Sequence, residues 1–104
     1  HHSMEALVAE SKDMRLLGIA HFRACPDPLI GLNTGFLDDL FVAHNQRGSD
    51  IGRSLIMGVT TSAQERGWPA VRWMTADANV QARHLYDKLA SATSWVTYEL
   101  SVKR

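Results

Sequence analysis

The stretch HNQRGSDIGRSLIMG, His44–Gly58, has the make-up of an anion cradle. A turn of small and charged residues runs straight into an apolar helix. The first N–H groups of a helix lack intrahelical acceptors and carry the positive end of its dipole. They favour a nearby anion by roughly 0.3–1 kcal/mol. Asp50 complicates this, because it puts a carboxylate where a phosphate would sit. No Gly-Lys-Ser/Thr follows, so the turn is not a P-loop. It also lacks the three spaced glycines of a dinucleotide-binding turn.

Other residues with chemistry to offer are few. Asp38 and Asp39 stand side by side in FLDDLFVA. Strand neighbours point to opposite faces, so at most one of them faces a given cleft. The competing reading is that both are solvated or paired near a strand end. His44 suits a surface role in its loop, and His84 falls off the apolar stripe of its helix. Cys25 precedes Pro26 with no aligned base. Trp68, Trp73 and Trp95 fit core or interface better than a ligand box. No spacing of His, Cys, Asp and Glu suggests a metal site.

The elements that must position these residues follow from apolar periodicity. EALVAE and RLLGIAHFRA flank the polar turn SKD and read as a hairpin, with strands near Glu5–Glu10 and Met14–Ala24. Two prolines and two glycines make Cys25–Gly35 a loop. Phe36–Ala43 reads as a strand, apolar at both parities except for the two aspartates, as in a covered sheet. A helix over about Asp50–Arg66 follows, with Ile51, Leu55, Val59 and Ala63 on one stripe and Ile56 beside it. Gly67 and Pro69 stop it. Ala70–Ala76 is the next strand, and Asn79–Ala90 a second helix with the stripe Ala82, Leu85, Tyr86, Leu89. Ser94–Val102 alternates as a last strand. The order β-β-β-α-β-α-β predicts an α+β domain, its sheet mostly antiparallel with one parallel pair at the strand–helix–strand crossover and helices on the sheet faces.

The totals set limits. A chain of 104 residues suits one domain, and 45% hydrophobic residues can build a core. Lys plus Arg and Asp plus Glu number 11 each, so no basic field exists to attract nucleic acid. No apolar stretch approaches a membrane span. One cysteine allows no internal disulfide, which points to a reducing, cytoplasmic compartment. His1–Ser3 resembles the remnant of a purification tag, leaving 4–104 as the domain.

The segment LDDLFVAHNQRGSDIGRSLI resembles the central motif of the GNAT superfamily of acetyl-CoA-dependent N-acetyltransferases. That motif is a strand ending in Val, a short turn, then Arg/Gln-x-x-Gly-x-Gly/Ala opening a helix. Arg47, Gly48, Ser49, Asp50, Ile51 and Gly52 occupy its six positions. A second block, NVQARHLYDKLA, is similar to the family's later helix through Asn79, Ala82 and Tyr86. The likeness runs from Glu5 to Leu100.

What the resemblance implies is specific. The diphosphate of coenzyme A would lie on the amides of this turn. Gly48 and Gly52 would allow close approach, while Arg47 and Arg53 add charge-assisted bonds. The pantetheine arm would pair with main chain at Leu40, Phe41 and Val42 and with Asn79. Tyr86 would be the acid for the departing thiolate, though it also belongs to the apolar stripe. Asp38 matches the proposed base of polyamine-type members. Being one methylene shorter than glutamate, it would work through a bridging water. Other members place the base where Phe36 stands, which cannot serve. The acceptor would be a small-molecule amine attacking the thioester directly, and no metal is implied.

Two departures from the family pattern stand out. Asp50 replaces a glycine. A phosphate charge about 5 Å away would be repelled by roughly 3 kcal/mol at an effective dielectric near 20. Asp50 also fits an N-cap, worth about 1 kcal/mol. Secondly, family members begin with a strand and one or two helices that wall the acceptor pocket, whereas here the hairpin begins almost at once. Either this is a natural short form or the chain is truncated; with that wall missing it is expected to pair as a homodimer, Trp95, Val96, Tyr98 and Leu100 contributing. The rival reading is a catalytically degenerate module that binds coenzyme A weakly or only mediates association.

Overall fold

The computed structural model describes residues 3–46 and 50–103. The elements are β1 (Glu5–Glu10), β2 (Leu16–Asp27), β3 (Leu32–Val42), a 3-10 turn (His44–Gln46), α1 (Ile51–Glu65), β4 (Val71–Arg72) and α2 (Val80–Leu89). They fall into two compact units, one running to Met74 and the other starting at Thr75.

The first unit is a four-stranded sheet in the order β1-β2-β3-β4. Its first two pairings are antiparallel and the third is parallel. This is the mixed α+β arrangement that the crossover predicts. Ala20, Phe22 and Leu37 on one sheet face meet Leu55, Ile56, Val59 and Ala63 of α1, and all seven are buried. Each of the larger side chains, Phe22, Leu37, Leu55, Ile56 and Val59, contributes about 1.5–3 kcal/mol by leaving water. The i, i+4, i+8 spacing of Leu55, Val59 and Ala63 put them on one side of α1, as read from the sequence.

The end of α1 is fixed by its own backbone. Gly67 has φ 73°, a conformation glycine adopts without strain. It donates to Gln64 O at 3.2 Å while Trp68 donates to Ala63 O at 2.9 Å, which satisfies two terminal carbonyls. Arg66 then pairs with Glu5 on β1 and lies over the Trp68 ring, 5.0 Å from its centroid. The guanidinium's hydrogen bond holds the Glu5 carboxyl below the usual carboxylate range.

Three expectations need correction. The loop expected over Cys25–Gly35 is mostly strand: Cys25 pairs with Thr34 and Pro26 with Asn33, leaving only residues 28–31 as the turn. Pro26 is tolerated because β1 pairs no further along β2 than Phe22, which makes β2 an edge there. The strand expected over Ala70–Ala76 shrinks to Val71–Arg72, since β3 bends away beyond that point. The strand expected over Ser94–Val102 joins no ladder among the described residues. Alternating side chains give a segment two faces but no hydrogen-bonding partner, and a strand needs one.

In the second unit, α2 opens on Asn79, whose Oδ1 accepts from Ala82 N at 3.2 Å. Its stripe of Ala82, Leu85, Tyr86 and Leu89 is half-buried. Trp95, Val96, Tyr98, Leu100 and Val102 are each at least 75% exposed.

Candidate active site

The sheet opens at Asp38. Along the β2–β3 ladder His21 opposes Asp39, but the next residue, Phe22, opposes Leu37. Asp38 is therefore an inserted residue, a bulge that bends β3. Two hydrogen bonds bear this out independently. Gly35 N donates towards β4, to Ala70 O at 2.9 Å, whereas Ala43 N donates towards β2, to Leu17 O at 2.8 Å. An even number of residues separates these amides, so a regular strand would aim them the same way. One extra residue reverses them. Parallel pairing ends at Phe36↔Arg72. Past the bulge, alternation turns the Leu40 and Val42 amides towards the opened side, and the Phe41 amide towards β2.

Charged groups gather on the face of the bulge turned away from α1, Asp38 and Asp39 together, because the inserted residue breaks the alternation expected of strand neighbours. Both oxygens of Asp38 accept from Arg23 Nε, at 3.2 and 3.1 Å. The Arg23 guanidinium also lies 5.0 Å from the Phe36 ring centroid. Asp39 Oδ2 is 3.6 Å from His21 Nδ1. The hairpin register thus lays down two cross-strand pairs of one acid and one base each.

The N-terminus of α1 sits beside the end of β3 because residue 18 is glycine. A Cβ there would come within 2.8 Å of Phe41 O, 2.9 Å of Ile51 Cγ2 and 3.0 Å of Leu55 Cδ1. Only a hydrogen allows the helix to start so close to the strand. Asp50 occupies the N-cap position, and its carbonyl accepts from Ser54 N at 2.9 Å, but its side chain makes no capping bond. The capping role considered for it is therefore not filled. The amides of Ile51, Gly52 and Arg53 have no acceptor among the described residues. Gly52 is buried and Arg53 exposed. The remaining cradle positions, Arg47, Gly48 and Ser49, lie outside the described residues.

In the second unit, Asn79 caps α2 through Oδ1, and its Nδ2 is 3.4 Å from Thr75 Oγ1. Tyr86 is half-buried, and burial pushes its phenol above the ordinary value of 10.0. The phenol stays protonated at neutral pH, as a proton donor must. His44 and His84 are exposed, and Cys25 is a free thiol. No cluster of three metal-ligating side chains occurs among the described residues, and no helix there is long and apolar enough to cross a membrane.

The family model for the Acetyltransferase (GNAT) family matches residues 1–90. The chain belongs to this family. Among curated relatives of this GNAT chain is the D-amino-acid N-acetyltransferase HPA3 of Saccharomyces cerevisiae. It is 41% identical over 64 residues, which are 62% of this chain and 40% of the yeast protein. Among solved structures, a ribosomal-protein-alanine N-acetyltransferase from Brucella melitensis is 32% identical. It superposes with a TM-score of 0.83 over 95% of this chain and 71% of its own. An aminoglycoside acetyltransferase from an uncultured soil metagenomic sample shares the fold at TM-score 0.82 and 18% identity, over 96% of this chain and 66% of its own. The GNAT chain thus spans well under half of the curated relative and about two thirds of these structures.

Sequence reasoning singled out neither His21 nor Arg23. Alternation in LGIAHFRA does place both on the face opposite Gly18, Ala20 and Phe22. Their pairing with Asp39 and Asp38 depends on the register and the bulge, which no local pattern announces.

Proposed function

We propose that this GNAT chain is an acetyl-CoA-dependent N-acetyltransferase that acetylates a small-molecule amine by direct attack on the thioester. The observation that carries the reading is the opening of the sheet at Asp38, flanked by a helix N-terminus whose first amides meet no acceptor among the described residues. Such a gap suits an extended arm laid against β3, with its diphosphate on α1. The described part of the cradle fits that anion, since the Asp50 carboxylate does not occupy the helix amides.

Acetyl-CoA supplies the acetyl thioester. On this reading the main chain of Leu40 and Val42 pairs with the pantetheine arm. Phe41, whose main chain turns to β2, offers its exposed ring instead. Residues Arg47 to Arg53 hold the diphosphate, with Gly48 and Gly52 admitting it closely. Asn79 uses Oδ1 for its helix and one amide hydrogen for Thr75 Oγ1, and offers its second amide hydrogen to the arm. Tyr86 gives a proton to the leaving thiolate. Asp38 takes the ammonium proton through a bridging water, because its oxygens also accept from Arg23. A second copy of the chain covers the apolar segment 94–102, and the lone thiol suits a reducing, cytoplasmic setting. A clean monomer in sedimentation at micromolar concentration would remove the dimer.

Calorimetric titration with acetyl-CoA, followed by an acetylation assay over a panel of amines, tests the reading. The name of the yeast relative puts D-amino acids first on that panel. Micromolar binding and turnover are expected. No binding at millimolar acetyl-CoA would leave only a non-catalytic module.

A further inference from the structure

We propose that His21 is the group on which the acceptor's proton ends, a role that rests on the acetyltransferase reading above. His21 stands at the register shift that opens the sheet, directly across from Asp39. Its Nδ1 is buried and has no hydrogen-bond partner among the described residues. The nearest anion is Asp39 Oδ2, 3.6 Å away. The side chain is nevertheless a third exposed, so the open part of the ring lies away from Nδ1. A carboxylate facing Nδ1 favours the tautomer with the proton on that nitrogen, leaving the Nε2 lone pair available.

The neighbours reinforce the assignment. On β3 the facing charges are Asp39 and Asp38, and on β2 the next charge on this face is Arg23, which is held by Asp38. On β1 the residue opposite is Ala6, and the adjacent Glu5 is tied to Arg66. The ring therefore sits beside the Asp39 carboxylate and one charge-balanced pair, Arg23 with Asp38. As side-chain types, an imidazole takes up and releases a proton near neutral pH more readily than a carboxylate does. Asp38 fixes the ammonium and its water, and His21 stores what they release.

The step balances. An N–H bond of the ammonium breaks, and its proton crosses the water at Asp38 to His21 Nε2. The freed lone pair attacks the carbonyl carbon of the acyl thioester. The C–N bond forms and the C–S bond breaks. Of the three ammonium hydrogens, one remains on the amide, one is matched by protonation of the thiolate, and one leaves His21 for solvent.

The test is steady-state kinetics of the whole chain between pH 6 and 9, using an amine that the unaltered chain acetylates. His21→Gln should lower kcat/KM about 30- to 100-fold at pH 7, with acetyl-CoA affinity within about twofold. The deficit should shrink as pH rises and the amine sheds its own proton. Added imidazole should restore part of the turnover of His21→Ala. Asp39→Asn should cost less, about five- to tenfold, with Asp39→Glu recovering it. A His21→Gln enzyme within about threefold of the original, or a deficit that is constant with pH, overturns the assignment alone. Acetyl-CoA binding without acetylation of any amine overturns both this and the function it rests on. Should the variants not fold, nitrogen NMR of the unaltered chain decides: the Nδ1–H tautomer is expected, and the Nε2–H tautomer refutes the proposal.

Discussion

Asp38 takes both of its hydrogen bonds from a single atom, Nε of Arg23, at 3.2 and 3.1 Å. Asp38 is also the inserted residue of β3, so the ion pair anchors the point at which the sheet parts. Arg23 is held in turn by the Phe36 ring. A bulge leaves its extra residue without a cross-strand partner, and the guanidinium supplies one from two positions along β2.

Replacing Asp38 with Asn should therefore act twice. Losing a half-buried, charge-assisted pair costs about 1–2 kcal/mol in denaturant unfolding. Turnover should fall about ten- to a hundredfold, because the water and the ammonium lose their anchor. Normal turnover in a destabilised variant would confine Asp38 to a structural role.

Gly18→Ala should couple the fold to the cradle. The new methyl would press on a main-chain oxygen, Phe41 O, at 2.8 Å, and on Ile51 Cγ2 at 2.9 Å. The strand oxygen cannot swing aside as a side chain would, so the start of α1 must move. Stability should drop by about 1–3 kcal/mol, and acetyl-CoA affinity should fall with it. Calorimetry on the folded fraction reads the second effect. Unchanged affinity would mean that the helix start does not hold the cofactor.

Much of this was legible in the sequence. Glu5–Glu10 has the bounds of its strand, the stripe of α1 is the buried one, and Gly67 ends that helix. Each rests on local periodicity or on a single residue's backbone preference. The misses share a cause of another kind. Pro26 signals a break, yet it sits where β2 has lost a neighbour and needs no donor. Asp38 bears no mark of being an insertion, since a bulge is a relation between two strands. The alternation of residues 94–102 is real, but pairing depends on what lies alongside. The motif and Tyr86 were visible as residue types, whereas His21 needed the register to acquire its aspartate.

Asp50 stands at the N-cap without capping. Asp50→Ala should thus change stability by no more than about 0.5 kcal/mol, against the ~1 kcal/mol of a working cap. Asp50→Asn should tighten acetyl-CoA binding about three- to tenfold, because an exposed carboxylate repels the diphosphate less than a buried one would. Weaker binding in Asp50→Asn would mean that the carboxylate organises the arginines of the turn.

Asn79 has a demonstrated task in the helix cap, so loss of function on its removal would be ambiguous. Two substitutions separate the tasks. Asn79→Ala removes both the cap and the amide, and should cost about 1 kcal/mol of stability. Asn79→Ser keeps a capping oxygen but loses the amide hydrogens. Its stability should stay near the original while acetyl-CoA affinity falls several-fold. Equal affinity in Asn79→Ser would restrict the residue to capping.

Tyr86 gives a prediction in pH. A proton donor works only while protonated, so the rate falls as pH rises through its pKa. Burial pushes the Tyr86 phenol above 10.0, because the phenolate loses more by leaving water than the phenol does. The alkaline limb of kcat should therefore lie above pH 10 and be absent below it. Tyr86→Phe keeps the ring in the half-buried stripe of α2 and removes only the hydroxyl. It should lower kcat about ten- to a hundredfold and abolish that limb, with unfolding little changed. Were Tyr86 no more than a member of the apolar stripe, the variant would turn over at the original rate, and kcat measured on both proteins at pH 8 decides between the two.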